Sequence, residues 1–423
     1  MSQRRYVRSF ALLQALQYLP LGLLVPVEIL IMQARGLSAA QIGAVVAVLG
    51  LTTALLELPT GGLADVLGRR VVLVAGAVVT LSSLLLLAFA ITFPLFVVSA
   101  LLFATGKALG SGPLESWFVD AVNDIHPPGA ERDTVLTHGL SRGETAMGLS
   151  VAVGAVAGGG LAELARRAGL PAAGEAVVVA LSVPLLLAAA LVVAQVVALL
   201  VLMDPHPHAR QGPGQVLRGV GPAVTGAARL VVGDPVLRWF GLRWLLIPAG
   251  FLAFELVTPV RLTDLLPDPA IAAALLGPLV AGCFVAAAVG ATLAPGIRRR
   301  IGPLLGAGLA TAGAGAVFAV AGLGGVGGLV LALVAAHLVI GPVNALNGPF
   351  LHARVPSSRR ATMLSFESVV ANLSVAAGAL LLGGVTGWLG TAAAFALAGL
   401  LTCLAALPLL GVAAALRSDP PGR

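Results

Sequence analysis

The chain reads as an all-α membrane protein: twelve spanning helices arranged as two six-helix halves. Three observations predict this class. The first is composition, with 58% of the 423 residues hydrophobic, 10% charged and a mean hydropathy of +1.02, whereas soluble proteins carry about 25% charged residues. The second is spacing, since apolar runs of the ~20 residues that cross a bilayer follow one another between short polar breaks. The third is a repeat. Arg132-Asp133-Thr134-Val135-Leu136-Thr137 returns 228 residues later as Arg360-Ala361-Thr362-Met363-Leu364-Ser365.

Apolar runs between polar breaks place the helices at 9–33, 39–63, 71–92, 94–123, 135–165, 176–203, 236–262, 269–295, 302–323, 326–353, 361–386 and 388–416. The first follows Arg4, Arg5 and Arg8 and continues through Ile31 with no small-residue cleavage site, so it is read as a span and not a leader. The second and third meet at Gly61-Gly62-Leu63-Ala64-Asp65-Val66-Leu67-Gly68-Arg69-Arg70, a polar segment expected as a tight hairpin in water. The fourth is interrupted by Gly110, Gly112 and Pro113, and it forms a hairpin with the fifth near Pro128-Gly129. The longest break, 204–235, holds Pro, Gly, His and Arg and a weakly amphipathic stretch from Val216 to Val232. It divides the chain into a first six-helix half, 1–203, a cytoplasmic linker, 204–235, and a second half, 236–423. In the seventh helix Arg243 beside Trp239 and Trp244 reads as an interfacial anchor. After the eighth, Gly290 and Ala294 followed by Arg298, Arg299 and Arg300 form a worn copy of the 61–70 segment that lacks its acidic residue. Two halves related by an axis along the membrane normal fit this pattern.

Basic residues set the orientation. The odd-to-even breaks hold four arginines, and the termini and even-to-odd breaks hold eighteen, which places both termini in the cytoplasm. The net charge of +7 and pI near 10.8 come from arginines spread between apolar runs and not from one basic domain, so no nucleic-acid partner is expected. Lys107 is the only lysine, an arginine bias suggesting a GC-rich genome; the expected location is the cell membrane, a bacterial inner membrane, crossed many times. Cys283 and Cys403 lie inside apolar runs and read as packing residues.

Charge near the bilayer centre costs about 2.5–3.5 kcal/mol, so charges that persist there face a cavity or a partner. Lys107, Ser111 and Glu115 recur at every fourth residue of the fourth helix and are expected on one face. Counting from the turn at Pro128-Gly129, Glu115 and Arg142 lie at equal depth, so an ion pair between them is expected, with Glu144 slightly deeper. Such a pair either locks the two helices or exchanges partners, with Glu115 taking a proton as Arg142 leaves it. The repeat sets Lys107 opposite His337 of the tenth helix, which also reads as a packing histidine. Asn344, Asn347, Glu367 and Asn372 share similar depths about the turn near Pro356 and could line a polar patch. Glu28 and Glu255 read as solvated outer-end residues, and His206 and His208 as loop residues without a metal partner set. No G-x-x-x-x-G-K-[ST] phosphate loop is present, and no nucleophile–base pair has convincing spacing. No catalytic residue, metal or cofactor is therefore expected.

The segment from Gly61 to Arg70 resembles the cytoplasmic loop signature of the major facilitator superfamily, G-x-x-x-D-R/K-x-G-R-R/K, with Val66 where the family has Arg or Lys. The resemblance implies a solute transporter built of two six-helix bundles. It assigns a gating role to Gly61, Asp65, Gly68, Arg69 and Arg70, with Asp65 capping the eleventh helix near Ala361 and Thr362 and Arg69 pairing with Asp120. Those contacts would latch the outward-open state. Lys107 resembles the basic residue that many of the family's antiporters carry in the fourth helix. Gly154 followed by Gly158-Gly159-Gly160 keeps part of their G-x(8)-G-x(3)-G-P-x(2)-G-G pattern, with Gly in the place of Pro. The expected function is secondary active transport by alternating access, resembling drug or metabolite efflux: export of a small amphipathic or hydrophobic compound, driven by a proton gradient. The partners are then a small-molecule substrate, the lipid bilayer and protons, and the protein acts as a monomer. The alternative is a facilitator or proton symporter for a small organic anion held by Lys107 and Arg142. The least favoured reading is a non-transporting receptor or scaffold.

Overall fold

The structure, a computed structural model, describes residues 3–174, 176–204, 221, 225, 226, 228–355 and 360–418, with the side chains at 58, 61, 62, 65, 351–353 and 360–362 outside the description. Helices form all the regular structure of these residues. In chain order they are α1 (Gln3–Leu24), α2 (Glu28–Ala34), α3 (Ala39–Leu67), α4 (Arg69–Phe89), α5 (Phe93–Gly110), α6 (Pro113–Ile125), α7 (Ala130–Arg167), α8 (Ser182–Leu202), α9 (Pro235–Leu265), α10 (Pro269–Ala291), α11 (Ala294–Ile301), α12 (Pro303–Ala321), α13 (Val326–Ile340), α14 (Val343–Arg354), α15 (Arg360–Leu404) and α16 (Pro408–Ser418). Eleven stretches of the described residues are long and apolar enough to cross a membrane. The last, Met363–Ser418, has 56 residues, more than twice the ~20 one crossing needs. It turns at Gly390, φ 84°, which makes it two crossings and the total twelve.

Several boundaries differ from the sequence reading. The first span breaks at 25–27 around Pro26, where the ring blocks continuation of α1. The hairpin expected over 61–70 is a single residue. Helix α3 runs on to Leu67, and Gly68 at φ 92° reverses the chain directly into α4. The worn copy after the eighth span contains a short helix of its own, α11, before Gly302 at φ 83° repeats that reversal. The linker reading and His206 and His208 lie almost wholly outside the described residues.

The chain forms two compact units. The first holds Met1–Gly36, Leu55–Arg218 and Asp268–Ala281; the second holds Leu37–Ala54, Gly219–Pro267 and Gly282–Arg423. In the first unit α1 lies against α7 where Gly22 meets Gly154: a Cβ on Gly22 would stand 2.6 Å from the Val151 carbonyl oxygen. About three turns toward the chain start, Phe10 stacks on Phe118 at 4.6 Å, and the two rings cover Gly143 and Gly139 of α7. Helices α4 and α5 are tied by reciprocal hydroxyls, Ser83 Oγ donating to the Ser99 carbonyl at 2.8 Å and Ser99 Oγ to the Ser83 carbonyl at 3.1 Å.

In the second unit the corresponding pair is α9 with α15. Ser374 Oγ donates to the Leu245 carbonyl at 2.5 Å and accepts from the Ala249 amide at 3.1 Å, bridging the 249-to-245 step of α9 just after Pro248. An apolar cluster of Val236, Leu237, Phe240, Trp244, Leu346 and Leu409 closes one end of this unit. Arg243 is not the interfacial anchor its tryptophan neighbours suggested. It is 2% exposed and donates to the Ala405 carbonyl and to Thr311 Oγ1. Ala405 starts the 405–407 turn between α15 and α16, so the buried guanidinium satisfies a carbonyl released by that break.

Candidate transport site on the broken fourth helix

The fourth span is two helices. Ser111 ends α5 in an extended conformation, φ −77° and ψ 115°, Gly112 takes φ 89°, and Pro113 opens α6. Only glycine adopts that φ without strain, and proline needs no amide partner at a first helical position. A break inside a membrane releases backbone carbonyls that have no water to bond. Two side chains from neighbouring helices receive them: Gln17 Nε2 of α1 donates to the Gly110 carbonyl at 3.3 Å, and Thr60 Oγ1 of α3 to the Ala108 carbonyl at 3.0 Å.

The break overturns the expected single face of Lys107, Ser111 and Glu115, because the helical register does not run through Gly112. All three side chains are nevertheless exposed. Glu115 now occupies the first turn of α6, where the helix dipole favours a negative charge. The expected ion pair with Arg142 is absent among the described residues. Glu115 interacts electrostatically with Glu144 instead, and both carboxylates act on Tyr18 of α1. The cause is rotation about α7. Gly139 and Gly143 face the Phe118 and Phe10 rings, so residues 142 and 144, each about 100° from 143, flank that contact on opposite sides. Arg142 and Glu144 therefore cannot both turn toward Glu115.

Tyr18 and Gln17 were not singled out from the sequence. Their signal was available: Gln14, Gln17 and Tyr18 recur at i, i+3 and i+4 in an otherwise apolar run, one polar strip on a membrane helix.

The gate residues divide. Arg69, at the start of α4, pairs with Asp120 of α6. Arg70 Nη2 donates to the Leu200 carbonyl at 2.6 Å and Nη1 to Met203 at 3.4 Å, capping the end of α8 as a cation suits a helix C-terminus. Gly61 and Asp65 lie on α3, and Asp65's side chain is outside the described residues. In the second unit, His337 Nδ1 bonds the Leu333 carbonyl at 2.8 Å, and its ring stands 4.5 Å from Phe254 and 5.6 Å from Phe251, centroid to centroid. Asn344 is exposed near the start of α14, Glu367 is half-buried on α15, and Asn372 Nδ2 donates to the Ser368 carbonyl at 2.9 Å. Asn347 is 7% exposed, with an Oδ1 that has no hydrogen-bond partner among the described residues.

A dozen apolar crossings among the described residues, with ionisable side chains held on interrupted helices, define a multi-pass membrane protein. The sequence profile of the Major Facilitator Superfamily matches residues 10–346, and the chain belongs to that superfamily. Solved structures share the fold. The nucleoside transporter NupG superposes with a TM-score of 0.75 at 14% identity, covering 96% of this chain and 98% of its own. A bacterial homologue of the human lysosomal transporter Spinster, in an inward-facing and occupied conformation, gives 0.72 at 16% identity over 98% of each chain. The POT family transporter PepTSo gives 0.71 at 15% identity over 99% of each. Among curated proteins no sequence matches.

Proposed function

We propose that the chain is a proton-coupled exporter of a small amphipathic or hydrophobic compound, with both termini in the cytoplasm of a bacterial inner membrane, acting as a monomer by alternating access. One observation carries the coupling: Glu115 opens the second part of a broken membrane helix, exposed, within electrostatic range of Glu144 and Tyr18 and without an ion-pair partner among the described residues. Two carboxylates sharing a low-dielectric site repel, and a proton on one relieves the repulsion. A cationic or neutral amphiphile arriving at the pair can displace that proton, which links solute movement to proton movement. The apolar character of the surrounding helices suits a solute that is itself largely apolar.

Glu115→Gln tests this reading directly. In proteoliposomes with a panel of lipophilic cations, neutral amphiphiles and organic anions, compound-induced proton flux is expected from the unmodified protein and is expected to fall at least about tenfold in the variant, the change that ~1.4 kcal/mol of lost coupling produces. Solute uptake with no proton movement in the unmodified protein would refute it.

Lys107 and Arg142 support a second reading. Both are exposed and neither has an ion pair among the described residues, so both are available to an anion. A facilitator or proton symporter for a small organic anion would lose binding in Lys107→Met. An exporter of neutral or cationic compounds would keep it.

A further inference from the structure

Each unit gathers arginines at one end, and only the first unit neutralises them. There the start of α1, the start of α4 and the start of α7 carry Arg4, Arg5, Arg8, Arg69, Arg70 and Arg132. Six carboxylates stand near the same helix ends: Asp65, Asp120, Asp124, Glu131, Asp133 and Asp204. The groups are engaged with one another and with the backbone. Arg69 pairs with Asp120, Arg132 lies 3.2 Å from Asp133, Asp204 accepts from the Tyr6 hydroxyl at 3.2 Å, and Arg70 caps α8.

The corresponding end of the second unit is the one closed by the apolar cluster around Phe240 and Leu409. It holds seven described arginine side chains, at 229, 238, 298, 299, 300, 354 and 417, and one carboxylate, Asp234, with Glu367 about two turns inside α15. Asp234 is fully used. Its Oδ1 accepts from the Val236 and Leu237 amides at 2.8 and 3.1 Å, and its Oδ2 takes Arg354 at 3.4 Å. The other six arginines are exposed, form no ion pair and donate to no carbonyl among the described residues. Orientation in a bilayer follows the count of Arg and Lys and depends little on Asp and Glu, so it accounts for the arginines at both ends but not for the missing counter-charge at one.

Helix α11 is the centre of this excess. Ala294 is buried in the apolar cluster and Ile297 packs against it at the place left open by Gly306, which fixes the inner face of the helix. At about 100° per residue, Arg298, Arg299 and Arg300 then fan round the rest of its circumference. Leu293, Ile301 and Leu305, all exposed, flank the three guanidinium groups with apolar surface.

We propose that this end of the second unit binds anionic phospholipid, with the headgroup phosphate on the arginines of α11 and the acyl chains against the exposed leucine and isoleucine side chains beside them. A guanidinium matches a phosphate bidentately, and its long stem lets it reach the headgroup level from an apolar neighbourhood. The unpaired positive charge supplies attraction to an anionic headgroup, and the apolar flank favours a lipid over a soluble anion. The inference goes beyond the transport reading and needs only that the chain spans a bilayer.

Native mass spectrometry of the full chain in detergent, with phosphatidylglycerol or phosphatidylcholine added, counts the lipid retained. Phosphatidylglycerol is expected to be retained at least about tenfold more than phosphatidylcholine, and the triple variant Arg298→Gln, Arg299→Gln, Arg300→Gln to lower that retention at least about fivefold. Arg4→Gln, Arg5→Gln, Arg8→Gln removes the same charge from the neutralised end and is expected to change it less than about twofold. Lysine at 298, 299 and 300 keeps the charge and is expected to keep most of the binding, which a purely structural role for the arginines would not. Equal retention of the two lipids, equal losses in the two glutamine variants, or displacement of phosphatidylglycerol by an equal concentration of inorganic phosphate overturns the proposal. Where the glutamine variant does not fold, the unmodified protein carries the test: phosphatidylglycerol retention must fall as salt rises from about 0.1 to about 1 M, since the screening length shrinks from about 10 to about 3 Å, and retention unchanged by salt overturns the proposal. No solute or proton gradient enters the measurement, so its failure and a failure of the coupling reading are separate results.

Discussion

The fourth and tenth spans carry the same dipeptide at related positions, Gly112-Pro113 and Gly341-Pro342, 229 residues apart, and fold it differently. Gly112 takes φ 89° and ends a helix. Gly341 stays right-handed, φ −47° and ψ −42°, and its amide keeps a bond of 3.1 Å to the His337 carbonyl. The neighbours decide. A Cβ on Gly341 would strike the Ala287 backbone of α10, so the tenth span is pinned by contact, while a Cβ on Gly112 would enter open space and Gln17 and Thr60 receive the carbonyls the break sets free. The chemistry follows the backbone. Two residues past each proline stand Glu115 and, at the repeat offset, Asn344; Glu144 has Asn372 at an offset of 228. The first half thus carries a pair of carboxylates where the second carries a pair of amides.

Exchanging the two chemistries is the severest test of that contrast. In Glu115→Asn, compound-driven proton flux is expected to fall at least about tenfold, and adding Asn344→Glu is expected not to restore it, because the position equivalent to Glu144 holds an amide, Asn372, and supplies no like charge. The pH change inside proteoliposomes reads both variants. Restored flux in the double variant would mean that the halves are functionally interchangeable and that the break in the fourth span is incidental.

Stability separates the two glycines in the opposite sense. Gly341→Ala forces a methyl into the α10 backbone, an overpacking that costs typically 1–3 kcal/mol. Gly112→Ala meets no atom and carries only the ~1–2 kcal/mol of a left-handed alanine. The larger drop in the midpoint of thermal unfolding in detergent, followed by tryptophan fluorescence, is therefore expected for Gly341→Ala even though its backbone is the less unusual. Equal midpoints would mean that α10 and α13 can move apart without loss and that the pinning argument is wrong.

The membrane class and twelve crossings were legible because hydropathy and length report directly on a bilayer, and the repeat showed in the Arg132 and Arg360 segments because helix entries reuse polar signals. What the sequence concealed depends on neighbours. Gly-Pro in two spans looks alike until Ala287 and Gln17 are in place. Arg142 and Glu144 looked equally able to meet Glu115 until Gly139 and Gly143 set the rotation of α7, a rotation the glycine spacing already contained. Arg243 read as an interfacial cation from its tryptophans, but its position is set by the carbonyl at Ala405, 162 residues away in the chain. The Arg69–Asp120 contact, in contrast, was anticipated through a family signature and not through geometry.

The smallest effect concerns how the break in the fourth span is tolerated. Gln17→Leu removes one hydrogen bond to the Gly110 carbonyl, a loss of about 1 kcal/mol, partly offset because the Gln17 Oε1 is itself buried without a partner among the described residues. Thr60→Val removes the bond to Ala108 and also the one its hydroxyl makes to the Leu56 carbonyl at 2.9 Å. The two side chains come from different helices and receive different carbonyls, so each repairs its own defect. Unfolding of the single and double variants should then be additive to within about 0.5 kcal/mol. The position 228 residues beyond Gln17 is Leu245, which has no side-chain donor to offer. In the second half Gly341 stays right-handed and its amide still bonds the His337 carbonyl, so the turn at 341–342 disturbs the span less than Gly112 does. Strong coupling between Gln17 and Thr60 would instead mean that the freed carbonyls share one hydrogen-bond network, and that the broken helix is held as a unit from α1 and α3 together.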